Sequence, residues 1–119
     1  MATIQEALAK LEKSKFRSSF HLTANERSYY ERKGERVIRQ HAEDFVRTRL
    51  APAYIPNDGH QTPMKGHPVF KAQHATGCCC RQCLWKWYRV PPGRQLTESQ
   101  QEKIVNLLMA WIEKEVHGR

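Results

Sequence analysis

Outside residues 78–83 this chain of 119 residues has no cysteine. That absence excludes a disulfide framework joining distant segments. The four thiols present, Cys78, Cys79, Cys80 and Cys83, are too close in sequence to bridge one another easily. A secretion signal is also missing: the N-terminus MATIQEALAKLEK carries Glu6 and Glu12 and has no apolar centre. Together these features predict a reducing, cytoplasmic setting. No apolar run approaches the roughly 20 residues needed to cross a membrane, and mean hydropathy is -0.75. Internal repeats and low-complexity tracts are absent. Between Asp58 and Glu98 there is not one acidic residue.

What is present is positive charge. Twenty Lys and Arg against 12 Asp and Glu leave a net charge of +8. Such a balance favours anionic partners, nucleic acid first among them, over a purely solubilising role. The length predicts one domain, 1–119, with a small core that a metal would help to brace. Residues 1–20 read as a peripheral helical arm.

The expected fold is mainly α, with about four to five helices. Thr3 with Glu6, Thr23 with Glu26 and Thr97 with Gln100 each have the spacing of a capping box. Helices are expected from about Ile4 to Lys15, from Ala24 to Lys33 and from Glu35 to Leu50. Gly34 would end the second in a left-handed conformation. Val37, Ile38, Ala42, Phe45 and Val46 follow a helical period, with His41 on the same face. APAYIPNDGHQTPMKGHP, residues 51–68, has four prolines, two glycines and no period, and reads as a loop. Pro68-Val69-Phe70 suggests a short strand or turn. Cys80 to Tyr88 looks helical, and Glu98 to Val116 carries the broad apolar face Ile104, Leu107, Leu108, Trp111 and Ile112.

The cysteines lie in HATGCCCRQCLWKWYR, residues 74–89. Cys80-Arg81-Gln82-Cys83 has the two-residue spacing that lets both sulfurs reach one zinc ion, and Cys79 lies one helical turn from Cys83. Zinc takes four ligands, usually thiolates and imidazoles. Candidate sets are Cys80, Cys83, His74 and His67, or a set in which Cys79 replaces a histidine, with His41 within reach if its helix packs there. There is no second CxxC and no HxxxH to complete a known pattern. Two other readings use the same residues. Free cysteines fill core space, although three in a row cannot all face one core. A reactive thiol is the other, with Arg81 and Lys86 lending charge and His74 acting as base.

Lys65, Lys71, Arg81, Lys86, Arg89 and Arg94 occupy the acid-free interval, and Trp85, Trp87 and Tyr88 add planar faces. Cations of this kind neutralise phosphates and aromatics stack on unpaired bases. On a helix, Arg81, Trp85 and Arg89 share one stripe and Cys80, Leu84 and Trp87 or Tyr88 another. The first stripe is expected outward and the second inward. Lys71, Arg81, Trp85, Lys86, Arg89 and Arg94 are thus the candidate nucleic-acid contacts. The competing reading packs both tryptophans against the last helix. Lys10, Lys13, Lys15 and Arg17 sit among acidic residues and read as a solvated helix face.

The segments RQHAEDFVRTRLAP, NDGHQTPMKGHPVFKAQHAT, CCRQCLWKW and PPGRQLT resemble the family of small bacterial and phage proteins known as domain of unknown function 4186. The resemblance covers most of the chain after about Phe20. It implies no activity. Its pattern matches His41, Asn57, Asp58, Gly59, His67, His74, Cys79, Cys80 and Cys83. Cys78 departs from it, standing where small residues other than cysteine are usual, and so does Tyr88, standing where a histidine is common.

The expectation is therefore a small zinc protein that binds nucleic acid through a basic aromatic helix. An alternative is a zinc-dependent hydrolase or nuclease acting on nucleic acid or nucleotides, with Asp58 or His60 as base. A further alternative is a phage effector that binds and inhibits a host protein.

Overall fold

A computed structural model describes residues 3–118. Among them are six α-helices and no strand: α1 (Ile4–Glu12), α2 (Ala24–Lys33), α3 (Glu35–Phe45), α4 (Pro68–Thr76), α5 (Arg81–Tyr88) and α6 (Glu98–His117). A 3-10 turn spans Arg17–Ser19, and α3 continues as a π-helical turn over Val46–Leu50. Among the described residues no helix is long and apolar enough to cross a membrane.

All three capping boxes form. In each, the threonine hydroxyl accepts from the backbone N–H three residues on, and the Glu6, Glu26 or Gln100 side chain accepts from the threonine's own N–H. Gly34 has φ 87 but ψ 158, so it is not in the left-handed helical well expected of it. It is shared as the C-cap of α2 and the N-cap of α3, which turns one helix directly into the next.

The segment at Pro68 is a helix rather than the expected strand or turn. Proline at N1 loses no hydrogen bond and has its φ set for a helix. His67 supplies the cap, its Nδ1 accepting from the Val69 N–H at 3.0 Å.

One apolar core runs through the molecule. Ile38, Ala42, Val46 and Leu50 recur every four residues and are fully covered. They meet Val69 and Ala72 of α4, Leu84 of α5, and Leu108 and Ile112 of α6. Helix α6 packs against α3, α4 and α1. The loop between α3 and α4 is tied down by polar contacts: the Gly66 N–H donates to the buried Glu26 carboxylate at 2.9 Å. Ala51 O accepts from Leu96 N at 2.9 Å.

Candidate metal centre

Gly77 ends α4 with φ 73 and ψ 23, the left-handed well that costs glycine least. The Cys78 N–H then reaches back to Gln73 O at 2.8 Å. A Cβ at Gly77 would lie 2.6 Å from Cδ1 of Trp87, so the turn is sealed against α5. Cys80 is extended and caps α5, its Sγ accepting from the Cys83 N–H at 3.4 Å. The Asp58 carboxylate, from the proline-rich loop, accepts from the N–H groups of Arg81 at 2.9 Å and Gln82 at 3.3 Å. The start of α5 thus has its orphan amides satisfied twice.

This geometry gathers three sulfurs. The Sγ atoms of Cys79, Cys80 and Cys83 all lie within 4.8 Å of one another, with Cys79 and Cys83 3.6 Å apart. Zinc–sulfur bonds of about 2.3 Å in a tetrahedron space sulfurs about 3.8 Å apart, so this cluster could hold a metal ion. Cys78 is elsewhere: wholly buried, it faces the Thr76 carbonyl, and burial pushes its thiol up to about 12.

Arg17 stands against the cluster. Its Nη2 donates to Cys83 Sγ at 3.2 Å and its Nη1 to His74 O at 2.6 Å, with Cys79 Sγ 3.8 Å from Nη1. Hydrogen bonds from the Cys79 and Cys80 thiols, then Arg17, hold Cys83 well below the usual thiol range. The same proton sharing, through Cys80 and Cys83, drives Cys79 upward. Burial opposes charge on Arg17, but the Cys79 and Cys83 sulfurs outweigh it and raise its pKa. One thiolate, at Cys83, is therefore stabilised, while Cys79 and Cys80 are both shifted upward.

The histidines are not brought to it. His74 is buried in α4, stacked on Phe20 with centroids 5.7 Å apart, and its Nε2 is bonded to Thr62 O at 3.0 Å. His67 is at the far end of α4, about 15 Å along the helix axis from Gly77. Its Nε2 lies 3.0 Å from His41 Nδ1 inside a box of Tyr29, Phe45 and Phe70. Among the described residues the group that could hold an ion is Cys79, Cys80 and Cys83, and His67, His74 and His41 do not join it.

This is the family described as a domain of unknown function (DUF4186), whose model matches residues 5–113. The chain belongs to it. The match takes in α1 and the Arg17 turn, beyond the start expected near Phe20. No solved structure matches the chain.

The basic face is smaller than expected. Arg81 is only 3 % exposed. Its Nη1 donates to the carbonyls of Leu50, Ala51 and Pro52, and its Nη2 to those of Pro91 and Arg94. It is a strut joining two loops rather than a phosphate contact, because its guanidinium is spent on backbone carbonyls. Lys71 is on α4, with Nζ 3.2 Å from His21 O and 3.7 Å from Glu26. Trp85 is 46 % exposed, with the Arg89 guanidinium 5.3 Å from its ring. Lys86 and Arg94 are also exposed. Trp87 is half-buried, and Tyr88 donates its hydroxyl to Thr76 O. Asp58 is committed to capping α5, and His60 is exposed in the loop.

Sequence reasoning missed Arg17, grouped with a solvated face, and Thr62, whose hydroxyl donates to Cys79 O at 2.9 Å. Arg17 lies in SKFRSSF, between two phenylalanines, and no local pattern separates it from its neighbours.

Proposed function

We propose that the protein holds one zinc ion on Cys79, Cys80 and Cys83, and that the braced turn presents α5 to single-stranded nucleic acid. The observation carrying the metal is the convergence of three sulfurs within 4.8 Å at a helix start. A trithiolate with a dication has net charge −1, and Arg17 at 3.2 Å offsets it. The interface reading rests on exposed Trp85 with Arg89 over its ring, and on the exposed cations Lys86 and Arg94. An exposed indole can stack on a base while the cations take phosphates.

The test starts with metal content of tag-free protein prepared reductively without chelator. About one zinc per chain, lost in Cys80→Ser and Cys83→Ser together with stability, supports the site. No metal, with all four thiols titratable in the native state, rejects it. Oligonucleotide affinity should fall steeply with salt and drop in Trp85→Ala and Lys86→Ala. Unchanged binding in both removes this surface.

The donor count favours a second reading. Three protein ligands leave a position for water, the arrangement of catalytic zinc. Asp58 is occupied by helix amides, so water ionised at the metal would be the nucleophile. Turnover of phosphodiester or nucleotide substrates by zinc-loaded protein, absent in Cys83→Ser, would establish hydrolysis.

A further inference from the structure

A cavity of 530 Å³ lies between α1, α5 and α6. A space of this volume is in the range of small-molecule sites. Its deep residues are apolar and covered: Cys78, Leu84, Ile104 and Leu107. Ile4 and Ala7 of α1 form the opposing wall. The Nε1 of Trp87, another lining residue, is buried and has no acceptor.

The rim has one sign of charge. Arg89 and Lys103 line the cavity and are exposed, and no aspartate or glutamate lines it. Among the described residues neither cation forms an ion pair. Arg89 is also the one described non-glycine residue with positive φ, at φ 57 and ψ 33 as the C-cap of α5. Glycine would close that helix without strain. A strained arginine at a cavity mouth is the kind of outlier that accompanies a site.

We infer that this cavity binds a small amphipathic anion, its apolar body among Leu84, Ile104 and Leu107 and its carboxylate between Arg89 and Lys103. The binding does not depend on the thiol cluster, and it shares with the proposed nucleic-acid face the Arg89 guanidinium, 5.3 Å from the Trp85 ring. Apolar lining supplies affinity through water release, and the two rim cations select an anion over an alcohol of the same length.

The test titrates hexanoate, octanoate, decanoate and decanol into the full chain, read by calorimetry and tryptophan fluorescence. Saturable binding of one decanoate per chain is expected, tightening with chain length, with decanol at least tenfold weaker. The double variant Arg89→Gly, Lys103→Met should weaken decanoate at least tenfold and leave decanol unchanged. Arg89→Gly keeps the left-handed cap, so the fold is preserved. Ala7→Phe fills the cavity from α1 and should abolish both. Absence of saturable binding by all four probes overturns the site. Equal affinity for decanoate and decanol, or a double variant that binds decanoate as before, overturns the anion assignment.

Discussion

Arg17 and Cys83 meet as cation and sulfur, Nη2 to Sγ at 3.2 Å, across 66 positions of sequence. The contact ties the segment after α1 to the start of α5 and places a fixed positive charge beside three thiols. Arg17 is buried, and its backbone N–H is itself anchored on Ser14 Oγ at 3.1 Å. The guanidinium is therefore preorganised, and its effect on the thiols should survive high salt.

Removing that charge should be felt at the thiols. In Arg17→Met the Cys83 pKa should rise, because a cation favouring the thiolate is gone. In metal-free protein, the pH midpoint for alkylation of Cys83 should move up by about one unit or more. Zinc affinity, read by competition with a chromophoric chelator, should fall about tenfold, and Arg17→Lys should recover part of it. An unchanged midpoint in Arg17→Met would show that the thiols, not the arginine, set the ionisation.

Arg81 and Lys86 lie within two turns of one helix and should behave oppositely. Arg81→Met leaves the carbonyls of Leu50, Pro52, Pro91 and Arg94 without their shared donor. A loss of about 3 kcal/mol or more is expected in urea unfolding. Lys86→Ala should stay within about 0.5 kcal/mol of the parent, as surface substitutions do. If Lys86 contacts phosphate, its variant alone should reduce the salt slope of oligonucleotide binding, by about one.

Local signals were legible and long-range ones were not. Each capping box is written within four residues, so Thr3, Thr23 and Thr97 marked their helices correctly. The thiols converge because they are contiguous and a helix begins among them. The helix at Pro68 was hidden because its cap is His67, outside the usual Ser, Thr, Asp and Asn set. Whether the histidines meet the thiols was not legible, because it depends on the length of α4 and on its facing, not on spacing in sequence. Arg17 and Arg81 were illegible for a further reason. A buried cation and a solvated one look alike in composition, and the partners of Arg81 are backbone carbonyls, which leave no mark in sequence.

The His41–His67 pair predicts a pH dependence. His67 Nδ1 accepts from Val69, so its Nε2 carries the proton and donates to His41. Burial, then the neighbouring His41, lowers the His67 pKa from 6.5 to about 4. Between those values the unfolded chain binds a proton that the folded chain does not. Stability should therefore rise with pH from about 4 to 6.5 and fall as pH drops through that window. The contribution is about 2 kcal/mol after allowing for solvent screening. His67→Asn keeps a cap for α4 and should flatten the profile. A profile with the same slope in this variant would assign the dependence to other groups.

Gly77 offers the sharpest test of how α4 and α5 are joined. Its φ of 73 is strained for any residue with a Cβ, at about 1–2 kcal/mol. Its missing Cβ is also the space filled by the Trp87 ring, at 2.6 Å. In Gly77→Ala both costs apply, and a loss of about 3 kcal/mol is expected. The Trp87 indole must move, so fluorescence of the folded variant should shift along with its stability. Gly93, with φ 88, meets nothing within 4 Å. Gly93→Ala carries backbone strain alone and should cost about half as much, with emission unchanged. Equal costs at the two sites would mean that Trp87 does not pack on the turn that positions the thiols.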